Sequence, residues 1–126
     1  MPVSFHAKEV SVDRKEWGLI VTLAGESTDD EDFYLMLQRK KLFNARDHEL
    51  GMADVYIEYC GQGMSWYGHI DSFRLLKESV EVQLSAAAAA EKQNDGKVVV
   101  SFNSNERTKL QTAFREVFEG RAYYTD

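Results

Sequence analysis

The sequence predicts an α+β fold, a mostly antiparallel β-sheet of about six to eight strands with a C-terminal amphipathic helix packed on one face. Two observations predict it. Apolar and polar residues alternate with a period of two along most of the 126 residues, as in half-buried strands. A helical period occurs convincingly only near the C-terminus. Because the chain has no Gly/Ser linker, no repeat and no proline beyond Pro2, we expect one domain over residues 1–126.

The N-terminal third is predicted to form strands separated by polar breaks. Val3, Phe5 and Ala7 share one face, and Val10 and Val12 resume in a shifted register, which indicates a β-bulge. The next inward-facing sets are Leu19, Val21 and Leu23 in "WGLIVTL", then Phe33, Leu35 and Leu37 in "FYLMLQR". The acidic stretch "GESTDDED" is a predicted loop, and "KKLFNARDHELG" is a predicted irregular connection.

An aromatic hairpin is predicted in the centre of the chain. "DVYIEYC" places Val55, Ile57 and Tyr59 on one face and Tyr56, Glu58 and Cys60 on the other. After the glycine-containing turn "GQG", "MSWYGHIDSFRLL" is the expected partner strand. Alternation then sends Trp66 and Tyr67 to opposite faces of the sheet.

The C-terminal third is predicted to contain two strands and the helix. "ESVEVQLS" points Val80, Val82 and Leu84 inward, and "KVVVSF" is a second strand, whereas Ala86 to Ala90 fit either a strand extension or a helical turn. Asn103 to Asn105 are N-cap candidates and Gly120 is a natural stop. Between them the helical stripe consists of Leu110, Ala113, Phe114, Val117 and Phe118.

Composition restricts the classes of partner. Fifteen Lys and Arg against 21 Asp and Glu give a formal charge of −6, which argues against nucleic-acid binding. The negative charge suits a partner with a basic surface, and ordinary solubility explains it equally well. The single cysteine, Cys60, indicates a reducing compartment. We expect a cytoplasmic protein that does not contact a membrane, because the sequence shows neither a signal-peptide pattern nor an apolar stretch of about 20 residues.

No arrangement of residues predicts catalysis, metal binding or a cofactor site. Cys60 and His69 resemble a thiol nucleophile and its base, but they lack an orienting third group, and a strand-end cysteine is more often a small buried hydrophobe. His6, His48, His69 and Cys60 show no zinc-site spacing. The "GQG" and "WYG" glycines lack the lysine and following helix of a phosphate-binding loop and suit turns instead.

The aromatic set Tyr56, Tyr59, Trp66 and Tyr67 suits a structural role in the core more than recognition, but both roles stay open. Partner binding is the favoured function because no catalytic arrangement is found and the chain is acidic. Trp and Tyr are frequent interface anchors, and cross-strand aromatic pairs are also a common core device. The candidate partner-binding residues are Trp66, Tyr67, His69, Gln62, Asp29, Asp30, Glu31 and Asp32.

The order of segments resembles the immunity protein 10 family of bacterial polymorphic toxin systems. The segments that carry the resemblance are "WGLIVTL", "DFYLMLQRK", "DVYIEYCGQGMSWYGHI", "VEVQL", "KVVVSF" and the closing amphipathic helix. The resemblance implies a small cytoplasmic α+β protein, encoded beside a toxin, that binds and neutralises this toxin. It also implies no enzymatic activity and no cofactor, and it assigns no contact residues.

Two alternatives stay open at the level of the sequence. One is a small enzyme or ligand-binding domain with a pocket formed by Tyr56, Cys60, Trp66 and His69. The other is a homodimer formed through an exposed sheet edge. If the partner is a nuclease toxin, the acidic residues 29–32 suit its phosphate-binding groove.

Overall fold

In the computed structural model, which describes residues 3–27, 32–60, 64–91 and 95–126, the strands form two five-stranded sheets. Strands and helices are numbered in chain order. The first sheet contains, in spatial order, β1 (Val3–His6), β9 (Lys97–Ser101), β8 (Ser79–Leu84), β7 (Ile70–Leu75) and β10 (Tyr124–Thr125). The second contains β2 (Glu9–Arg14), β3 (Gly18–Ser27), β4 (Asp32–Lys40), β5 (Tyr56–Tyr59) and β6 (Ser65–Tyr67). The helices are α1 (Ala45–Glu49), α2 (Ala86–Glu91) and α3 (Arg107–Val117).

The predicted α+β class is confirmed, and so are the antiparallel pairing and the terminal helix. All pairs of the second sheet are antiparallel, whereas β1 and β10 join the first sheet as parallel edge strands. The described part of the chain has more strands than expected, and they divide between two sheets rather than forming one.

The chain passes between the two sheets at two points that alternation alone did not reveal. The shift predicted as a bulge is a crossing: the Ala7 amide bonds to Ser101 of the first sheet, and the next amide, that of Lys8, bonds to Ala24 of the second. The second crossing divides the predicted hairpin strand into β6 and β7. Gly68 and His69 stand there at φ values of 73° and 61°, a left-handed backbone that ends the strand.

One apolar cluster joins the inner faces of both sheets with α3. Every residue predicted to face inward from β3, β5 and β8 is buried, as are two of the three from β4: Leu19, Val21, Leu23, Leu35, Leu37, Val55, Ile57, Tyr59, Val80, Val82 and Leu84. Phe33, the third from β4, is only partly buried and meets Phe5 at a ring-centroid distance of 5.9 Å. The period-two patterning thus identified most of the predicted core residues, whereas Val3, Phe5, Val10 and Val12 are only partly buried.

Helix α3 packs against both sheets. Its predicted apolar stripe is buried, and the Phe114 ring lies 4.9 Å, centroid to centroid, from Phe73 of the first sheet. On the second sheet, Arg39 of β4 donates to the backbone oxygen of Val117 at 2.8 Å. The helix follows a 3₁₀ turn at Ser104–Glu106 and its end lies near Gly120, whose φ of 77° suits the predicted stop.

Two short helices lie where the prediction from sequence was incomplete. The connection predicted as irregular contains α1, which is held by a capping box: the Asn44 side chain accepts from the Asp47 amide, and the Asp47 side chain accepts from the Asn44 amide. The Asp47 carboxylate also pairs with Lys40 at 2.7 Å, which fixes the connection to β4. The alanine stretch, for which strand and helix were both open, forms α2.

Candidate functional site

The hairpin of β5 and β6 places the adjacent aromatic residues Trp66 and Tyr67 in different environments. Trp66 is 7% exposed, stacks on Tyr59 with centroids 6.0 Å apart, and donates from its indole Nε1 to Glu91 of α2 at 3.4 Å. Tyr67 is 37% exposed, and its ring lies 5.0 Å from that of Tyr56 on the neighbouring strand. Trp66 therefore belongs to the core and leaves the candidate contact set, because a buried ring has little surface to offer a partner. Of these two neighbours, Tyr67 is the one that faces solvent.

Tyr67 lies on a broad face of the second sheet that points away from the core, called here the outer face. Strand registers align Thr22, Met36, Glu58 and Ser65 in one row and Ile20, Gln38, Tyr56 and Tyr67 in the next, with Tyr34 beside them. Of these nine residues, all except Glu58 are at least partly exposed. Antiparallel sheets commonly keep one face solvated, but here that face carries three tyrosines, an isoleucine and a methionine.

A buried carboxylate lies in the middle of this outer face. Glu58 is 8% exposed, and each of its oxygens accepts a hydrogen bond from one phenol: Oε2 from Tyr34 and Oε1 from Tyr56, the latter at 2.5 Å. Burial and then the hydrogen bond to Glu58 raise the pKa of Tyr56 above its ordinary value of 10.0. In the described ranges, Glu58 forms no ion pair with Lys, Arg or His.

A small aromatic cleft borders the outer face. Trp17, Phe43, Tyr56 and Tyr67 contribute its rings, and its volume is about 60 Å³. Trp17 is 48% exposed in the turn between β2 and β3, where its carbonyl accepts from the amide of Lys41 at 2.8 Å. Cofactor and substrate pockets usually measure about 300–1,000 Å³, so this cleft suits the end of one protein side chain.

A larger cleft of about 320 Å³ lies between the second sheet and the end of α3. Three of the four cations that line it already make internal contacts. Arg14 pairs with Glu116 at 3.2 Å, Lys40 pairs with an aspartate of α1, and Arg39 donates to two carbonyls at the end of α3. The charged groups at this cleft hold α3 and α1 against the sheet, and they explain its basic lining without a ligand.

The residues of the predicted ligand pocket do not come together. Tyr56 faces outward, whereas Trp66 on the paired strand faces the core. Cys60 is half-buried against the core with a φ of 52°, and its Sγ lies 3.8 Å from the carbonyl oxygen of Tyr34. His69 is exposed at the crossing to the first sheet, where Nδ1 lies 3.4 Å from the hydroxyl of Ser85. Cys60 therefore packs as a small hydrophobe.

Several of the other predicted contact residues lie outside the ranges that the structure describes. Gln62, Asp29, Asp30 and Glu31 lie outside them, and Asp32 is exposed at the start of β4. Within the described ranges, no group of three or more His, Cys, Asp or Glu side chains is placed to hold a metal ion. No helix in these ranges is long and apolar enough to cross a membrane.

Sequence reasoning missed Trp17, Phe43 and Tyr34 as members of this surface. Trp17 gave a usable signal, since "KEWG" places a large aromatic residue in a polar turn. Phe43 gave none, because its position depends on how α1 folds back beside β4.

Residues 6–110 match the protein-family model of immunity protein 10. The chain belongs to the immunity protein 10 family. No curated protein and no solved structure matched the chain. The match confirms the resemblance stated above, and it spans the outer face and the aromatic cleft but ends within α3. Membership of this immunity protein family indicates a toxin-neutralising role that involves binding of a cognate toxin. Proteins of this kind are generally not enzymes.

Proposed function

We propose that the protein neutralises a cognate bacterial toxin in the cytoplasm by stoichiometric association, and that the toxin docks on the outer face around Tyr67. The family match supports the toxin as partner. The observation that supports the docking face is the group of incompletely buried aromatic residues at its border, Trp17, Phe43, Tyr56 and Tyr67. Tryptophan and tyrosine are the side chains most enriched among interface anchors.

The surface is preorganised for binding. Tyr67 is held by its ring contact with Tyr56, and α1 is fixed beside β4 by its capping box and by the ion pair of Lys40 with Asp47. Side chains that are already ordered lose little conformational entropy on association, so more of the interaction free energy appears as affinity.

Acidic residues supply the proposed rim of the interface. The chain carries a formal charge of −6, and Asp32 is exposed at one end of β4. Asp29, Asp30, Glu31, Gln62 and His69 are further proposed contacts of the toxin on sequence grounds. A rim of this charge favours a toxin with a basic surface, because opposite potentials accelerate association. A homodimer through a sheet edge is a separate proposal, which light scattering of the protein alone tests.

Co-expression with the toxin encoded by the neighbouring gene tests the proposal. We expect rescue of growth and co-elution of the two chains in size-exclusion chromatography. The double substitution Trp17→Ala with Tyr67→Ala should abolish rescue while the protein remains folded. Thr112→Ala, an exposed position on α3, is the control and should retain rescue. Failure of the unmodified protein to bind or rescue contradicts the proposed function, whereas rescue by the double variant contradicts only the docking face.

The alternative of a Cys60-dependent enzyme is tested by Cys60→Ala. Because the thiol packs against the core, we expect a lower melting temperature with toxin neutralisation retained. Loss of neutralisation at unchanged stability would instead indicate that the thiol acts in function.

A further inference from the structure

Glu58 is the one strongly buried acid of the outer face, and its surroundings are unusual for a carboxylate. The strand register places it between Met36 of β4 and Ser65 of β6, so it has a paired strand on both sides. Tyr34 and Tyr56 donate one hydrogen bond each to its two oxygens. No lysine, arginine or histidine of the described residues lies within ion-pair distance of it.

Hydrogen bonding therefore satisfies Glu58 only in part. An ionised carboxylate offers about four acceptor sites, and the two phenols fill about half of them. Phenols also leave the negative charge without a counter-ion, and a charge that is buried without an opposite charge is unfavourable. Among the groups described, nothing supplies that opposite charge, whereas a partner that covers this face is positioned to do so.

The neighbouring side chains favour a particular cation. Tyr56 and Tyr67 form a ring pair in the row beside Glu58, and exposed Tyr67 offers a π face to an incoming side chain. A guanidinium group is planar, stacks on aromatic rings and donates two parallel hydrogen bonds to a carboxylate. An ammonium group is more strongly hydrated and matches this combination less well.

We infer that Glu58 is the receptor for an arginine side chain of the toxin, which donates to the free acceptor sites of the carboxylate and stacks against Tyr67. This inference rests on the proposed function and names the chemistry of its central contact. The two tyrosines that bind Glu58 act as positioning residues, since they hold the carboxylate towards the partner. The Met36 side chain lies next to Glu58 in the register and supplies an apolar border that reduces access of water to the ion pair.

Affinity measurements with catalytically inactivated toxin test the inference. We expect Glu58→Gln, which preserves the shape of the side chain, to weaken binding at least about 30-fold, mainly through faster dissociation. Asp71→Asn is the matched control: it makes the same change of charge on an exposed position of β7 in the first sheet, and it should change the dissociation constant less than about twofold. A dissociation constant for Glu58→Gln within about threefold of the unmodified protein would overturn the inference while the proposed function stands.

Variants of the toxin provide a second test that does not depend on how Glu58→Gln folds. Each surface arginine of the inactivated toxin is replaced by lysine, and each variant is measured against the unmodified immunity protein. One such replacement should weaken binding at least about tenfold and should cause little further loss when it is combined with Glu58→Gln. If no arginine replacement has this effect, the inference is wrong. If the unmodified pair does not bind at all, it is the proposed function that fails.

Discussion

Truncating Trp66 and Tyr67 separately should produce opposite consequences, although the two residues are neighbours in the chain. Trp66→Ala removes a ring that is only 7% exposed, and truncation of such a buried aromatic residue costs about 3–5 kcal/mol of unfolding free energy. For 126 residues the entropy of unfolding is about 0.26 kcal/mol/K, so 1 kcal/mol corresponds to about 4 °C. The expected fall in melting temperature is therefore about 11–19 °C.

Tyr67→Ala should cost much less stability and much more affinity. Its ring is 37% exposed and loses mainly the contact with Tyr56, worth about 0.5–1.5 kcal/mol or about 2–6 °C. As an interface anchor it should contribute at least about 2 kcal/mol to toxin binding, which weakens the dissociation constant about 30-fold. Tyr67→Phe is the matched control, because it keeps the ring and removes only the hydroxyl group.

Thermal unfolding followed by circular dichroism measures the stability effects, and biolayer interferometry with inactivated toxin measures affinity. Equal shifts in melting temperature for Trp66→Ala and Tyr67→Ala would refute the assignment of the two rings to opposite faces. An unchanged dissociation constant for Tyr67→Ala would refute the outer face as the interface, even if the stability effects agree with expectation.

Two further predictions concern the sheet crossing and the buried carboxylate. Placing a residue other than glycine in the left-handed conformation of Gly68 costs about 1–2 kcal/mol of unfolding free energy. Gly68→Ala should cost more than this, because a Cβ atom there would also lie 2.6 Å from Oδ2 of Asp54. Gly51→Ala is the control, because Gly51 has a similar φ of 70° and a Cβ atom there would have no neighbour within 4 Å. Equal losses of stability for the two variants in denaturant unfolding would show that the contact with Asp54 does not contribute. The raised pKa of Tyr56 means that its neutral phenol is favoured in the folded state, so its contribution to stability is complete below pH 10.0 and is lost as the pH rises through the folded value. Glu58→Gln should lower that pKa towards 10.0 by removing the negative charge, and a ring-carbon NMR titration with an unmoved midpoint would contradict this.

The candidate site was predictable only in part, because sequence patterns describe residues that are close together in the chain and the site also depends on contacts between distant strands. Alternation placed Tyr56 and Glu58 on one side of β5 without any knowledge of the fold. The same rule left open whether Trp66 or Tyr67 faces solvent, because it says that two neighbours differ but not which side is covered. Trp17 joined the site through the pairing of β2, β3 and β4, a contact that no local pattern encodes.

The capping box of α1 is a local signal for the start of a helix that can be recognised in the sequence. Asn44 and Asp47 stand at the spacing that begins a helix, yet the stretch is only five residues long and has no apolar stripe. Short helices of this kind depend on tertiary contacts such as the ion pair with Lys40, because an isolated single turn does not repay the entropy of its nucleation.

Residue patterns alone predict the α+β class, the strands that carry the core and the terminal helix, since these depend on the period of apolar residues along a continuous stretch. The division of the strands into two sheets is visible only in the folded protein, because the crossings at Ala7 and at Gly68 and His69 occupy one or two residues and barely disturb the alternation. The tertiary structure also decided that Glu58 is buried on the outer face. Burial of a polar residue there depends on two tyrosine side chains, one from β4 and one from β5, and no sequence period records that contact.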